Sequence, residues 1–241
     1  MIVHRRAKTR WLIRIILASG FILGTYSWLT QMVASEKKMA NQKCCSGNLT
    51  AIGLAFHQYH EQYGTFPPTH ILDASGRPIH SWRVLILGVL GGKYEKLYRT
   101  YRFSEPWNGP NNRKLAGLIP SLYVCPNHKR NQNEINTNYV AIIRPKKAAQ
   151  EMTKAVEIPR SRLISDSILV IETNANINWM QPDDSDIKQD FVNKRLSSSG
   201  SVMSSFDPEG PAALFVDGTT RRFSVPLSNA ELRIMSGASN R

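Results

Sequence analysis

The first third of the chain shows two hydrophobic patterns, and each is typical of a helix. Residues 15–34 (IILASGFILGTYSWLTQMVA) contain no charged side chain, and apolar residues occur on every face. A helix of this length is about 30 Å long, the thickness of the hydrocarbon core of a bilayer. We therefore predict a transmembrane helix over residues 15–34. The alternative is a cleaved secretory signal, but Met32-Val33-Ala34 is a poor small-x-small cleavage site.

Beyond residue 35 the apolar residues fall on one face of the helix. They recur at helical spacing as Leu49, Ile52, Phe56 and Tyr59. Gly64 and then Phe66-Pro67-Pro68 follow, which is a typical helix end. We predict that one helix runs from the membrane to about Tyr63 and is amphipathic in its outer half. The pattern does not decide whether this helix is interrupted near residues 44–47.

The rest of the chain contains several short β-like segments. Apolar and β-branched runs predict strands at residues 123–125, 138–143 and 167–173. Residues 213–223 predict two more strands joined by a two-residue turn at Asp217-Gly218, because Asp-Gly between β-prone runs favours a tight hairpin. Residues 81–90 fit helix or strand equally well. The predicted fold class is α+β, with a long N-terminal helix packed on a mainly antiparallel β-sheet.

The distribution of charge changes the meaning of the strongly basic composition. The chain carries 31 Lys and Arg against 18 Asp and Glu, a formal net charge of +13, which usually indicates nucleic acid or an anionic membrane. Residues 1–43 contain eight basic residues and one acidic residue, so +7 of this charge lies around the apolar segment. We therefore predict no nucleic-acid partner.

The same charges predict how the chain is oriented. Five basic residues precede the apolar segment and no acidic residue does, so the positive-inside rule places the N-terminus in the cytoplasm. The predicted organisation is a basic cytoplasmic segment over residues 1–14, a transmembrane helix over 15–34 and an extracytoplasmic domain over 35–241. The predicted location is the inner (cytoplasmic) membrane, crossed once.

Several longer motifs resemble those of a known family. They are Cys45-Ser46-Gly47-Asn48-Leu49, Tyr63-Gly64-Thr65-Phe66-Pro67-Pro68, Glu105-Pro106-Trp107-Asn108-Gly109-Pro110-Asn111-Asn112, Tyr123-Val124-Cys125-Pro126 and Leu214-Phe215-Val216-Asp217-Gly218. In this order, over roughly residues 40–236, they are similar to the motifs of the planctomycete family known as domain of unknown function 1559. Members of that family are often pseudopilin-like. The resemblance implies a pseudopilin-like fold and a role in the cell envelope or in a secretion-type assembly.

The chain departs from the family pattern at two positions. Pseudopilin-like members have Gly-Phe followed by a Glu at the fifth position of the mature helix, whereas this chain has Gly20-Phe21 followed by Thr25. We therefore expect a plain signal anchor that is not processed. The family also has a His upstream of the Asp-Gly turn, and Asp207 stands at that position here. This departure indicates a diverged paralogue.

The three cysteines are Cys44, Cys45 and Cys125. Thiols outside the cytoplasm tend to oxidise. Cys45 occupies the family position and Cys125 lies in the Cys-Pro motif, so the resemblance implies a disulfide between them, with Cys44 free or paired to another molecule. Closing a loop of about eighty residues would stabilise the fold by ~4 kcal/mol in the chain-entropy model. The alternative is three unpaired cysteines, and a zinc ribbon is disfavoured because no Cys-x-x-Cys pair occurs.

A cluster of acidic residues is the weak candidate for a metal site. It comprises Asp183, Asp184, Asp186 and Asp190. Calcium favours several carboxylates on a flexible loop, but the central Gly and terminal Glu of an EF-hand loop are missing. Solvated loop acids are therefore the expectation, and we predict no metal and no cofactor.

The candidate ligand groove is formed by Trp82, Trp107, Asn108 and Asn111, since tryptophan rings surrounded by polar groups can stack on a sugar or a peptide. The alternative is that both tryptophans anchor long loops to the core. Motifs for serine hydrolases, metalloproteases, phosphate loops and dinucleotide binding do not occur. We therefore expect a non-enzymatic structural or interaction protein with envelope or pseudopilin-type partners. A glycan- or peptide-binding module is the alternative function.

Overall fold

The computed structural model describes residues 2–126, 134–141, 168–182 and 210–223. Only the backbone is described for residues 2–13, 15 and 174–176. The chain divides into two compact units, residues 1–42 and 43–241. Helix α1, Ile2–Tyr63, contributes to both units. The acidic cluster Asp183, Asp184, Asp186 and Asp190, and also Asp207, lie outside the described residues.

The first unit consists of the N-terminal part of α1. Every side chain from residue 16 to residue 37 is exposed. The apolar ones include Phe21, which is 74% exposed, and Trp28, which is 65% exposed. The helix is long and apolar enough in this region to cross a membrane, and none of that segment is buried in the protein. These features favour single-pass anchoring by the segment predicted at residues 15–34.

In the second unit the same helix becomes amphipathic, as its sequence pattern predicts. Leu49 and Ile52 are fully buried, Phe56 is buried, and Tyr59 is half-buried. The helix is continuous through residues 44–47, so it has no interruption there. It ends where the N–H of Gly64, at φ +70°, donates to the carbonyl of His60 at 2.8 Å. Glycine suits this position because it adopts positive φ without strain.

A small sheet and several short helices follow α1. The antiparallel strands are β1 (His70–Leu72) and β2 (Pro78–Ser81), and the helices are α2 (Trp82–Leu85), α3 (Leu87–Leu90) and α4 (Glu95–Thr100). Short 3₁₀ helices cover Gly92–Tyr94, Asn112–Leu118 and Ser121–Tyr123. Residues 81–90 are therefore mainly helical, with the Ser81 hydroxyl accepting from the N–H of Arg83 as an N-cap.

The strand predicted at residues 123–125 is wrong. The N–H of Tyr123 donates to Pro120 and that of Val124 to Ser121, so the local backbone forms a 3₁₀ turn. The N–H of Cys125 is taken by the side chain of Asn138 at 2.7 Å. These donors are therefore not available to a strand partner.

The main sheet confirms the other predicted strands. It contains β3 (Asn136–Ala141), β4 (Ile168–Asn178), β5 (Ala212–Phe215) and β6 (Thr220–Arg222), in this order and with every neighbouring pair antiparallel. The hairpin loop has three residues, 216–218, instead of the predicted two, because the N–H of Phe215 donates to the carbonyl of Thr219 at 2.9 Å. The N–H of Gly218, at φ +80°, donates to Phe215, so Val216 and Asp217 are the central turn residues. Asp217 accepts from the N–H of Thr219 at 2.8 Å.

The described part of the chain is an α+β fold in which α1 packs on the sheet through a glycine. A Cβ atom added at Gly53 would lie 2.9 Å from Cδ1 of Leu214 on β5. Leu49 and Ile52 lie on the buried side of α1, as does Phe56, whose ring meets that of Trp82 edge-on at 5.3 Å. The absence of a side chain at Gly53 lets the helix approach the sheet closely.

We predict that Gly53→Leu lowers the free energy of unfolding of the chain by about 1–3 kcal/mol, because the new side chain overpacks the contact with Leu214. The matched control is Gly47→Leu, on the same helix and with no atom within 4 Å of an added Cβ. Replacing this glycine should raise the free energy of unfolding by about 0.5–1 kcal/mol, because leucine has the higher helix propensity. Denaturant unfolding of the two variants in mild detergent measures the difference. Equal effects would contradict the packing described.

Candidate functional site

The loop Glu105–Asn112 is held together by a buried asparagine. Asn112 is fully buried. Its Oδ1 accepts from the N–H of Arg102 at 2.8 Å. Its Nδ2 donates to the carbonyls of Arg102 at 2.8 Å, Glu105 at 3.2 Å and Pro106 at 3.1 Å. The side chain thus satisfies backbone groups that the loop cannot satisfy by secondary structure.

Glu105 supports the same loop from the other side. Its Oε1 accepts from the N–H groups of Asn111 at 2.9 Å and Asn112 at 2.7 Å, and its Oε2 accepts from Asn111 Nδ2 at 3.1 Å. Burial opposes the charged form, but these bonds outweigh it and hold the pKa of Glu105 below its usual value. A Cβ at Gly109 would come within 2.9 Å of the Glu105 carboxyl carbon. The motif therefore specifies its own compact conformation.

This loop borders a pocket of about 370 Å³. Trp107 and Asn108 line it, together with Phe103 and with Asp73 and Arg77 from the turn between β1 and β2. The N–H of Trp107 donates to the carbonyl of Ile79 at 2.9 Å, which fixes the loop to β2. Trp107 is half-buried and Asn108 is exposed. The pocket therefore presents an aromatic ring, a primary amide and a charged pair to solvent.

The two charged residues of the pocket, Asp73 and Arg77, form an ion pair with each other. Arg77 Nε lies 2.8 Å from Asp73 Oδ2, and Asp73 Oδ1 accepts from the N–H groups of Arg77 and Ser75. The bond from the Arg77 N–H is the largest of the interactions that hold the pKa of Asp73 below its usual value.

The structure separates the four residues of the predicted groove. Trp107 and Asn108 line the pocket. Asn111 does not line it and binds Glu105 through its side chain. Trp82 is fully buried, between Phe56 and Tyr123, with the guanidinium of Arg83 over its ring. The structure thus places Trp82 in the core and not on a groove.

A second cluster joins α1 to the sheet. Cys45 and Cys125 are fully buried, and their sulfur atoms lie 2.7 Å apart. One carboxylate oxygen of Glu172, on β4, completes a group of three donor atoms that all lie within 4.8 Å of one another. The structure carries the cysteines as thiols, and the disulfide between them stays a prediction. The same three groups are the donors that could hold a metal ion.

Glu172 is the residue of this cluster that the sequence did not reveal. It is fully buried. Its Oε2 accepts from the N–H of Ala212 at 3.1 Å and lies 3.7 Å from Arg222 Nη1. Its Oε1 has no hydrogen-bond partner among the described residues. Glu172 therefore has one unsatisfied carboxylate oxygen among the described residues, and its side chain lies beside two sulfur atoms.

The surroundings of the cluster favour the protonated form of the Cys125 thiol. Contact with Cys45, then burial, then the Glu172 carboxylate raise the pKa of the Cys125 thiol. Burial also raises the pKa of Tyr139, whose hydroxyl lies 3.4 Å from Asn48 Nδ2. The Asn48 amide donates to the carbonyl of Val124 at 3.0 Å and so fixes the segment that carries Cys125.

We predict that Asn112→Ala destabilises the fold by about 2–3 kcal/mol, because three carbonyls and one N–H of the loop lose their buried partner. Asn108→Ala, an exposed asparagine in the same loop, is the matched control and should change stability by less than about 0.5 kcal/mol. Thermal unfolding followed by circular dichroism compares them. A neutral Asn112→Ala would show that the loop does not depend on this side chain.

The comparisons with known proteins identify a family. A family model described as "Protein of unknown function (DUF1559)" matches residues 40–165, just over half of the chain. The matched range contains the two cysteines of the buried cluster and the whole Glu105–Asn112 loop. Neither the search of curated proteins nor that of solved structures gave a match. The chain belongs to the family of proteins of unknown function DUF1559.

Proposed function

We propose that this chain is a single-pass membrane protein whose folded domain lies outside the cytoplasm and serves as a non-enzymatic structural or interaction component of the cell envelope. The observation that carries the proposal is the change of environment along α1. Its side chains from residue 16 to residue 37 are all exposed, whereas Cys45, Leu49 and Ile52 are fully buried.

The exposed apolar segment supports the membrane part of the proposal. Its large side chains are 45–74% exposed between Ile16 and Val33. Apolar surface left in water costs roughly 25 cal/mol per Å², and a helix that is apolar on all faces has no polar stripe to present to water. A bilayer removes this cost, and the five basic residues before it favour a cytoplasmic N-terminus.

The structural role is supported by the hydrogen bonds that polar side chains make within the folded unit. Asn112 and Glu105 satisfy the backbone of their own loop, and Arg83 is fully buried with bonds to Ser81 and to carbonyls. These groups stabilise the fold through hydrogen bonds within it. We propose that a domain fixed in this way near the membrane makes lateral contacts with envelope or pseudopilin-type partners.

The test of this proposal is a pair of C-terminal reporter fusions to the full chain. We expect an alkaline phosphatase fusion to be active and a green fluorescent protein fusion to be dark, because the former folds only outside the cytoplasm. The protein should resist extraction from membranes by alkaline carbonate. Replacing the five basic residues Arg5, Arg6, Lys8, Arg10 and Arg14 with Glu should lower phosphatase activity several-fold.

The matched control replaces the three lysines that follow the apolar segment, Lys37, Lys38 and Lys43, with Gln. This change should leave the phosphatase activity unaltered, because it strengthens the existing charge asymmetry. A protein that is extracted from membranes by alkaline carbonate would contradict the proposed anchoring. An inactive phosphatase fusion together with a fluorescent green fluorescent protein fusion would contradict the proposed topology.

The pocket at Trp107 favours a second candidate function, an extracytoplasmic module that binds a glycan or a peptide. A half-buried tryptophan beside an exposed amide and a charged pair suits stacking on a sugar ring with hydrogen bonds at its edge. The volume of about 370 Å³ is at the lower end of small-molecule sites.

We expect a binding module to retain at least one ligand from a panel of envelope oligosaccharides and short peptides. Trp107→Ala should weaken that binding roughly tenfold with an unchanged unfolding midpoint. Leu118→Ala, at an exposed apolar residue that does not line the pocket, is the control and should bind as the parent does. If the folded chain binds nothing on the panel, the second candidate fails and the structural proposal is unaffected.

A further inference from the structure

The cluster of Cys45, Cys125 and Glu172 brings together three segments that are far apart in the chain. Cys45 lies on α1, Cys125 follows the 3₁₀ helix Ser121–Tyr123, and Glu172 lies on β4. All three are fully buried, and one donor atom from each lies within 4.8 Å of the other two. Their convergence ties the helix to the sheet at one point in the core.

We propose that Cys45 and Cys125 form a disulfide whose stability against reduction is lowered by the buried carboxylate of Glu172. The bond ties α1 to the segment before β3, and Glu172 makes it sensitive to the thiol–disulfide balance of its surroundings. The inference rests on residues of the folded unit, and formation of the bond in the cell rests on the proposed extracytoplasmic location.

The two redox states differ in the hydrogen-bond donors that they place beside Glu172. Oε2 is already paired with the N–H of Ala212, and Oε1 has no partner among the described residues. In the dithiol state the Cys125 S–H is a donor beside the Glu172 side chain, one of whose carboxylate oxygens lies within 4.8 Å of both sulfur atoms. In the disulfide state that proton is gone, and one buried carboxylate oxygen has no donor among the described residues. A buried unsatisfied charged group is costly, so Glu172 favours the dithiol.

Among the described residues, the other groups that face the cluster carry the same protons in both redox states. From β6, Arg222 lies 3.7 Å from Oε2 and also donates to the carbonyl of Gly210. From β3, the hydroxyl of Tyr139 lies 3.4 Å from the Asn48 amide of α1. Arg222 balances the carboxylate charge in both redox states, whereas the thiol proton is present in only one of them.

The reaction is a two-electron exchange with a disulfide, represented here by oxidised glutathione. The Cys45–Cys125 S–S bond forms and the glutathione S–S bond breaks. The protein thiols supply two electrons, and their two protons pass to the two molecules of reduced glutathione. Because the equilibrium constant compares end states only, it does not depend on how the buried thiols become accessible during exchange.

The first test is a non-reducing peptide mass map of the full chain in detergent, with zinc measured on the same sample. We expect a Cys45–Cys125 cross-link and no stoichiometric metal. Cys44→Ser, at the exposed neighbouring cysteine, should retain the cross-link. Two free thiols would overturn the proposal, and free thiols with one equivalent of zinc would assign the cluster to metal binding instead.

The second test measures the equilibrium constant for disulfide formation in glutathione buffers, by alkylation of the remaining thiols. Glu172→Gln should raise this constant roughly tenfold, the size expected for one charge-assisted hydrogen bond. Glu61→Gln makes the same change of charge at an exposed site on α1 and should leave the constant unaltered. An unchanged constant in Glu172→Gln would overturn the role of Glu172.

A third variant separates this effect from general loosening of the core. Arg222→Gln removes the cation that compensates Glu172, so the carboxylate depends more on the thiol donor and the constant should fall. Loosening of the core would move the constant in the same direction in Glu172→Gln and Arg222→Gln. Opposite shifts support the proposal, and shifts in the same direction overturn it.

Discussion

The close contact between α1 and β5 at Gly53 is the interaction on which the described folded unit depends. A Cβ there would lie 2.9 Å from Cδ1 of Leu214, so the close approach of the helix at this position would then require the Leu214 side chain to shift. That approach buries Leu49 and Ile52 completely and brings Cys45 to Cys125. The same helix carries the exposed apolar segment, so one element provides both the candidate membrane span and one wall of the core.

The second constraint is a buried cation that joins distant segments. The guanidinium of Arg83, on α2, donates to the carbonyl of Tyr139 from Nε at 3.0 Å and from Nη2 at 2.7 Å, and to that of Gln181 at 3.3 Å. In return, the hydroxyl of Tyr123 donates to the carbonyl of Arg83 at 2.6 Å. These bonds hold β3, the segment after β4 and the segment before Cys125 around one residue. A fully buried Arg is tolerated because carbonyl and hydroxyl oxygens replace its water.

The hydrophobic pattern predicted most of the fold, because in long segments the spacing of apolar residues indicates which face of a helix or strand is buried. The apolar run of 15–34, the stripe of Leu49, Ile52 and Phe56, and the strands of the main sheet all appear as expected. The parts of the structure that the pattern did not predict depend on hydrogen bonds and contacts of polar side chains. The loop of Asn112 depends on backbone hydrogen bonds that composition does not show. Glu172 gives only the signal of one acidic residue after the apolar run of residues 168–171, and it lies within β4. Its position beside two cysteines depends on tertiary contacts, which no local pattern contains.

The central claim is that α1 is a single helix in two environments, lipid around residues 16–33 and protein around residues 45–56. A spin-label scan along the helix in lipid vesicles, with oxygen and a water-soluble nickel complex as relaxation agents, tests it most directly. The account predicts high oxygen accessibility at every position from 16 to 33 without helical periodicity, and a 3.6-residue period of protection from 45 to 59. A 3.6-residue period of protection over 16–33, or nickel accessibility throughout that segment, would contradict it.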